Sequence, residues 1–131
     1  MKYLCLAYGD QEKTEAMPKS EWNALIEEIG AYDQELKQTG KLVSGTSLGW
    51  AATTLQMRNG KLSITDGPFA ATKEVVGGLV VIEARDLNEA IQVASLHPAA
   101  RTGENIGWAV EVRPIEEFPI CKPDPSKAAA E

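Results

Sequence analysis

Cysteine, histidine and basic residues are scarce in this chain. Its 131 residues include two cysteines and one histidine, and 13 lysines and arginines stand against 19 aspartates and glutamates. Cys5 and Cys121 are far apart and neither belongs to a CxxC pair, which argues against a disulfide framework or a structural zinc site. No cluster of histidine, cysteine and carboxylate residues has the spacing of metal ligands, so we expect neither a metal nor an organic cofactor.

A basic stripe and a long apolar segment are also lacking. The net charge of −6 and the pI near 4.9 argue against a surface that binds the phosphates of a nucleic acid. The apolar run in the opening segment MKYLCLAYGD is too short for a signal peptide or a membrane span. These features predict a cytoplasmic protein that has neither a nucleic acid nor a membrane as its partner.

The residues that are present suffice for one globular domain. A hydrophobic fraction of 44% is ordinary for a folded protein and excludes global disorder. The length suits a single folding unit. We place the domain at residues 1–114 and an extended C-terminal tail at 115–131, where proline and alanine are frequent.

The first part of the chain predicts a strand and a helix. Residues 3–8 are rich in aromatic and aliphatic side chains, which is typical of a strand, and 11–17 form a polar loop. Apolar residues then recur at helical spacing over 20–38. Ser20 suits the N-cap of this helix, and Gly40 suits the position just beyond its C-terminus.

The rest of the chain predicts mainly strands. A weak strand covers 42–50, and Asn59-Gly60 between the runs 53–57 and 62–65 predicts a hairpin, because both central residues tolerate a positive φ. The remaining elements are a strand at 79–84 that Gly77-Gly78 opens, a helix from its N-cap Asp86 to Leu96 that His97-Pro98 ends, and a strand at 108–113.

This order predicts an α+β fold, a ferredoxin-like split βαβ sandwich with an inserted β-hairpin. The strands at 3–8 and 79–84 are apolar on both sides, which is typical of strands buried on both faces. Two helices can cover one face of the sheet. The other face predicts a homodimer through the strands 3–8, 79–84 and 108–113, with the hairpin and the tail as the alternative cover.

One segment carries a family resemblance. The run DGPFAATKE at 66–74 is very similar to the DGPFAETKE signature of the DGPF-domain branch of the YCII-related family, with Ala71 in place of glutamate. The resemblance extends over most of the chain and implies a dimeric α/β barrel. The other matching segments, in order, are MKYLCLAYGD, Gly40-Lys41-Leu42, Gly77-Gly78, Pro98–Arg101 and Glu111–Pro114.

Two further properties of the family concern function. Some YCII-type relatives have been proposed to use a His–Asp pair, but His97 stands at a predicted helix end rather than within that motif. Some DGPF members are encoded beside extracytoplasmic-function sigma factors, which implies a regulatory setting.

Asp66 is the leading candidate for chemistry. An aspartate in a tight turn at a strand end can act as a general base if burial raises its pKa. The alternative is that its carboxylate accepts backbone hydrogen bonds and shapes the turn, as Asp before Gly commonly does.

Other polar residues near this loop are candidates for binding a substrate. Lys73 can attract an anion, although adjacent Lys73 and Glu74 also suit a solvated pair. His97 is a possible proton carrier or, more ordinarily, a helix cap. The candidate substrate-binding residues are Thr72, Lys73, Glu74 and Arg101.

Two classes of function remain open from the sequence. One is a cofactor-free enzyme that acts on a small organic molecule with Asp66 as its acid/base. The other is a non-catalytic dimer that binds a small ligand or has a regulatory role linked to sigma-factor control. In such a dimer Asp66 only shapes a turn.

Overall fold

A computed structural model of the chain describes residues 1–116 and 123–127. The predicted strands and helices occur in the predicted order, with two further short helices at Gln11–Glu15 and Pro98–Arg101. The strands are β1 (Lys2–Asp10), β2 (Leu42–Ser47), β3 (Thr53–Arg58), β4 (Lys61–Asp66), β5 (Glu74–Glu83) and β6 (Ala109–Pro114). The helices are α1 (Gln11–Glu15), α2 (Lys19–Gln38), α3 (Leu87–Ala94) and α4 (Pro98–Arg101), with short 3-10 turns at Glu104–Ile106 and Pro125–Lys127.

Four strands form one antiparallel sheet in the order β2-β5-β1-β6. Because β5 lies between β1 and β2, the unit β1–α2–β2 is a split βαβ, and the predicted ferredoxin-like α+β fold is confirmed. β3 and β4 form a separate two-stranded hairpin inserted before β5. Its turn residues Asn59 and Gly60 have φ of 50° and 74°, as the Asn-Gly pair predicts.

The core lies between the sheet and the helices on one of its faces. Side chains from β1 and β5 meet side chains from α2 and α3, and Ile82 at the centre has no exposed surface. The buried cluster consists of Tyr3, Cys5, Leu36, Ile82, Ala84, Ala90, Val93 and Ala94. None of the helices in the described ranges is long and apolar enough to cross a membrane.

Two local predictions near the N-terminus are wrong. The 11–17 segment contains α1 rather than a loop, because the Asp10 carboxylate caps it by accepting a hydrogen bond from the Lys13 amide at 3.1 Å. Ser20 is not the N-cap of α2, since the helix already begins at Lys19 and Pro18 occupies the cap position. The prediction for Gly40 is confirmed by its φ of 71° directly after the C-cap.

Two further boundaries differ in the second part of the chain. Gly77-Gly78 lies within β5 instead of opening a strand. A β-carbon at Gly78 would stand only 3.3 Å from the Thr46 carbonyl oxygen of β2. The close approach of the two backbones explains the glycine. The strand predicted at 42–50 ends at Ser47. Asp86 caps α3 as predicted, by accepting a hydrogen bond from the Glu89 amide at 2.9 Å.

The centre of the sheet face opposite the helices, which β1 and β5 form, is apolar and only partly covered. Its side chains from β1 and β5 are Leu4, Leu6, Tyr8, Leu79 and Val81, which we call the open face. The hairpin does not bury its own apolar side chains against this face, since Leu55, Met57, Leu62 and Ile64 are 60–69% exposed. The predicted tail falls partly on 117–122 and 128–131, which lie outside the described residues.

We expect the thiol of Cys5 to resist labelling in the native protein. Cys5 is 1% exposed in the middle of β1, and burial raises its pKa to about 11. The thiolate is the reactive form, so reaction requires local opening. A Cys121→Ser variant should therefore react with a maleimide at least about a hundredfold more slowly when native than in denaturant.

The matched variant for this measurement is Cys5→Ala, which leaves Cys121, a residue outside the described ranges that we predict to react fast. Equal native rates in the two variants would contradict the burial of Cys5.

Candidate functional site

A cavity of about 730 Å³ lies between α2 and the helix-facing side of the sheet. Its floor includes small residues from three strands. Ala7 of β1 lies opposite Gly78 of β5, and Gly45 of β2 lies opposite Val80, two residues further along β5. Leu36 anchors the end of α2 in the core. Space remains above Ala7 and Gly78, because neither has a side chain larger than a methyl group.

All three tryptophans of the chain line this space, which we call the tryptophan cavity. Trp22 comes from α2, Trp50 from the loop after β2, and Trp108 from the segment before β6. A β-carbon placed on Gly9 would lie 3.2 Å from the Trp108 ring and 3.6 Å from the Trp50 ring, so the two indoles meet above this glycine. The result is an aromatic corner of the kind that binds flat apolar groups.

Trp108 is held in place by a glycine behind it. Gly103 has a φ of 75°, and a β-carbon there would overlap the indole at 2.4 Å. Only a residue without a side chain allows this backbone conformation and this contact together. Gly103 is therefore a positioning residue for the wall of the cavity.

His97 also lines the cavity, and its two ring nitrogens differ. Nδ1 accepts a hydrogen bond from the Ala99 amide at 3.0 Å and caps α4. It is thus the N-cap of a following helix, which corrects the predicted cap at the end of α3. Because a backbone amide only donates, Nδ1 carries a lone pair and the proton of the neutral ring is on Nε2.

The surroundings of His97 favour the neutral ring. Burial lowers its pKa below the ordinary value and outweighs the opposing attraction of Asp33. Nε2 has no hydrogen-bond partner among the described residues. Because every buried side-chain nitrogen or oxygen of those residues does have a partner, Nε2 is not fully buried. Nε2 is therefore accessible, and its N–H is available as a hydrogen-bond donor.

The charged groups of the tryptophan cavity neutralise each other. Among its lining residues only Asp33 and Lys37 are charged, and the Asp33 carboxylate lies 2.9 Å from the Lys37 ammonium. Asp33 and His97 both line the cavity. The Asp33 carboxylate is already paired with the Lys37 ammonium.

Three of the predicted substrate-binding residues lie elsewhere. Thr72, Lys73 and Glu74 line a second cavity, of about 810 Å³, that also contains Asp10 and Glu12. Carboxylates outnumber the single ammonium of Lys73 in this lining, so an anion is disfavoured there. In the described part of the chain no group of histidine, cysteine and carboxylate residues could hold a metal ion.

Asp66 and Arg101 lie apart from both cavities. Asp66 ends β4 opposite Thr53, and its exposed carboxylate accepts no hydrogen bond from the described residues. Arg101 donates to Glu35 at 2.6 Å and its guanidinium lies 4.4 Å from the centre of the Tyr32 ring. The structure therefore does not bring the five candidate residues together.

Neither the tryptophans nor the small residues of the cavity floor are among the site residues predicted from the sequence. Trp22, Trp50 and Trp108 share no local motif, and each suits a core position equally well. The only local signals were Gly45 and Gly77-Gly78, because glycines inside strands often mark a close approach or an open space.

Comparison with known proteins agrees with this fold. The family model of the YCII-related domain matches residues 1–119. An uncharacterised protein of Rhizobium meliloti (strain 1021) is 32% identical over 117 residues, which cover 88% of this chain and 92% of that protein.

Proposed function

Since the chain belongs to the YCII-related domain family and has an open, tryptophan-lined cavity, we propose that it binds a small organic molecule there. The observation that carries this proposal is the convergence of all three tryptophans on one cavity of about 730 Å³. Pockets for small molecules commonly have this size, with mostly apolar and aromatic walls and a few polar groups. The polar lining residues here include His97, Thr46 and Ser47.

The geometry favours binding over catalysis. A general base must reach its substrate and titrate near the working pH. The Asp66 carboxylate is exposed and lines neither cavity, so its role as acid/base stays a prediction. His97 in its neutral form is a donor through Nε2, and its Nδ1 is occupied by the Ala99 amide.

We also propose that the domain pairs with a second copy through the open face. The support is the apolar character of Leu4, Leu6, Tyr8, Leu79 and Val81, which the described residues of one chain leave partly exposed. A large apolar patch on a domain surface is typical of an interface. A two-fold arrangement covers both open faces at once.

The binding function is tested by filling the cavity. A metabolite screen by thermal shift identifies ligands that stabilise the native chain, and ¹⁵N spectra follow the indole N–H signals. Since all three indoles line the cavity, we expect a ligand to shift them. Gly45→Phe places a ring on the cavity floor, where a β-carbon has only ordinary contacts, at 3.6 Å, and should weaken binding at least about tenfold.

Gly30→Phe is the matched control, because it adds the same ring at an exposed position of α2 where a β-carbon meets nothing within 4 Å. Asp66→Asn is the second control and should bind like the parent chain. Ligands whose affinity responds to Gly30→Phe or Asp66→Asn but not to Gly45→Phe would contradict binding in the tryptophan cavity.

A further inference from the structure

We infer that the ligand of the tryptophan cavity is a flat, uncharged aromatic molecule whose hydrogen-bond acceptor, such as a carbonyl oxygen, meets the Nε2–H of His97. This inference rests on the proposed function, because it names the ligand class of the same cavity. Three properties of the lining support it: its shape, its charge and the donor that His97 supplies.

The shape of the cavity favours a flat molecule. On the floor, the opposed residues Ala7 and Gly78 offer nothing larger than a methyl group, so a ligand can lie against the backbone of β1 and β5 there. At one end, Trp50 and Trp108 both reach within 3.6 Å of the same point above Gly9. Aromatic rings that stack on or meet the edges of these indoles gain contact on several sides.

The charge of the cavity favours an uncharged molecule. An anion would need an unpaired cation, but the Lys37 ammonium is paired with Asp33 at 2.9 Å, and the whole chain has a net charge of −6. A cation could lie over an indole face. However, the accessible polar atom of His97 is a donor, which a cation cannot use, and the only lining carboxylate is already paired.

The donor explains why an acceptor is needed. Nε2 of His97 carries the proton because Nδ1 receives the Ala99 amide. A ligand that covered this N–H without accepting its hydrogen bond would leave a desolvated donor unpaired, which lowers affinity. A carbonyl or ring nitrogen acceptor on the ligand avoids this loss.

A set of related probes separates these properties. The full-length ¹⁵N-labelled chain is titrated with 2-naphthamide, 2-naphthoate, 2-naphthylmethylammonium and cyclohexanecarboxamide, with the indole N–H signals as the readout. We expect 2-naphthamide to bind at least about tenfold more tightly than the two charged analogues and the non-aromatic amide. Gly45→Phe should abolish the shifts that 2-naphthamide causes.

The role of His97 is tested by His97→Ser. Serine retains an acceptor for the helix cap but removes the Nε2–H donor. We expect the affinity for 2-naphthamide to fall about five- to tenfold, as for one lost hydrogen bond, while naphthalene, which has no acceptor, keeps its affinity. An equal loss for both probes would overturn the hydrogen bond from His97.

The outcomes distinguish the inference from the function beneath it. If 2-naphthoate, the ammonium or the non-aromatic amide binds most tightly and Gly45→Phe blocks it, the ligand class is wrong but the binding function stands. If no probe and no screened metabolite binds in a way that Gly45→Phe prevents, both are wrong.

Discussion

Gly103→Ala should destabilise the domain by about 2–5 kcal/mol. An alanine at a φ of 75° costs about 1–2 kcal/mol, and its β-carbon would overlap the Trp108 ring at 2.4 Å. Relieving such an overlap in a packed site adds about 1–3 kcal/mol. The free energy of unfolding from denaturant titration gives the loss, and a displaced Trp108 indole N–H signal locates it.

Gly60→Ala separates the two contributions in this experiment. Gly60 has a nearly identical φ of 74°, but a β-carbon there meets nothing within 4 Å. Its cost should therefore be limited to the backbone part, about 1–2 kcal/mol. If both variants lost the same free energy, the contact between Gly103 and Trp108 would have no energetic weight, and the positioning role given to Gly103 would be wrong.

Leu6→Arg should separate the proposed dimer into folded monomers. Leu6 lies on β1 between Leu79 and Glu111, in the middle of the open face. In a two-fold dimer each copy would bury an unpaired guanidinium, which costs about 3–5 kcal/mol. The dissociation constant should rise at least about a hundredfold.

Light scattering over a concentration series measures this change. We expect the parent chain at micromolar concentration to have twice the 14.1 kDa mass of one chain, and Leu6→Arg to have that mass once. Glu111, the neighbour on β6, is already paired with Arg113 at 2.9 Å. In the monomer the new side chain is partly exposed at the position of Leu6, so water can solvate its guanidinium and the fold should survive, as circular dichroism can check.

Ile26→Arg is the control for this variant. Ile26 is on α2, away from the open face, and is 47% exposed, so an arginine there should leave the dimer intact. A parent chain that is monomeric at micromolar concentration would contradict the dimer, as would dissociation by Ile26→Arg alone.

The local sequence determined the elements and the fold class. The alternation in β1, the Asn59-Gly60 turn, Gly40 after α2 and the Asp86 cap all act within a few residues, so each can be read from its own segment. The order of these elements was then enough to predict the split βαβ. Two local predictions were wrong because of a nearby cap residue. Pro18, rather than Ser20, occupies the cap position of α2. Asp10 caps a helix in the segment 11–17, which was predicted to be a loop.

Only the tertiary structure decided the position of the site. The DGPF-like run at 66–74 is the most distinctive local pattern, yet Asp66 is exposed. Its neighbours Thr72, Lys73 and Glu74 line the second cavity, which shares only Trp50 of the three tryptophans with the tryptophan cavity. The tryptophan cavity depends on the register of three strands, which places Ala7 opposite Gly78 and Gly45 opposite Val80.

The role of His97 depends in the same way on what surrounds it. Its Nδ1 is occupied by the Ala99 amide two residues on, which the sequence allowed, but its place beside the indoles follows from packing between distant segments. Turns and caps are set by interactions between near neighbours in the chain. A cavity is the space that side chains from remote segments leave unfilled, so it exists only once the whole domain has folded.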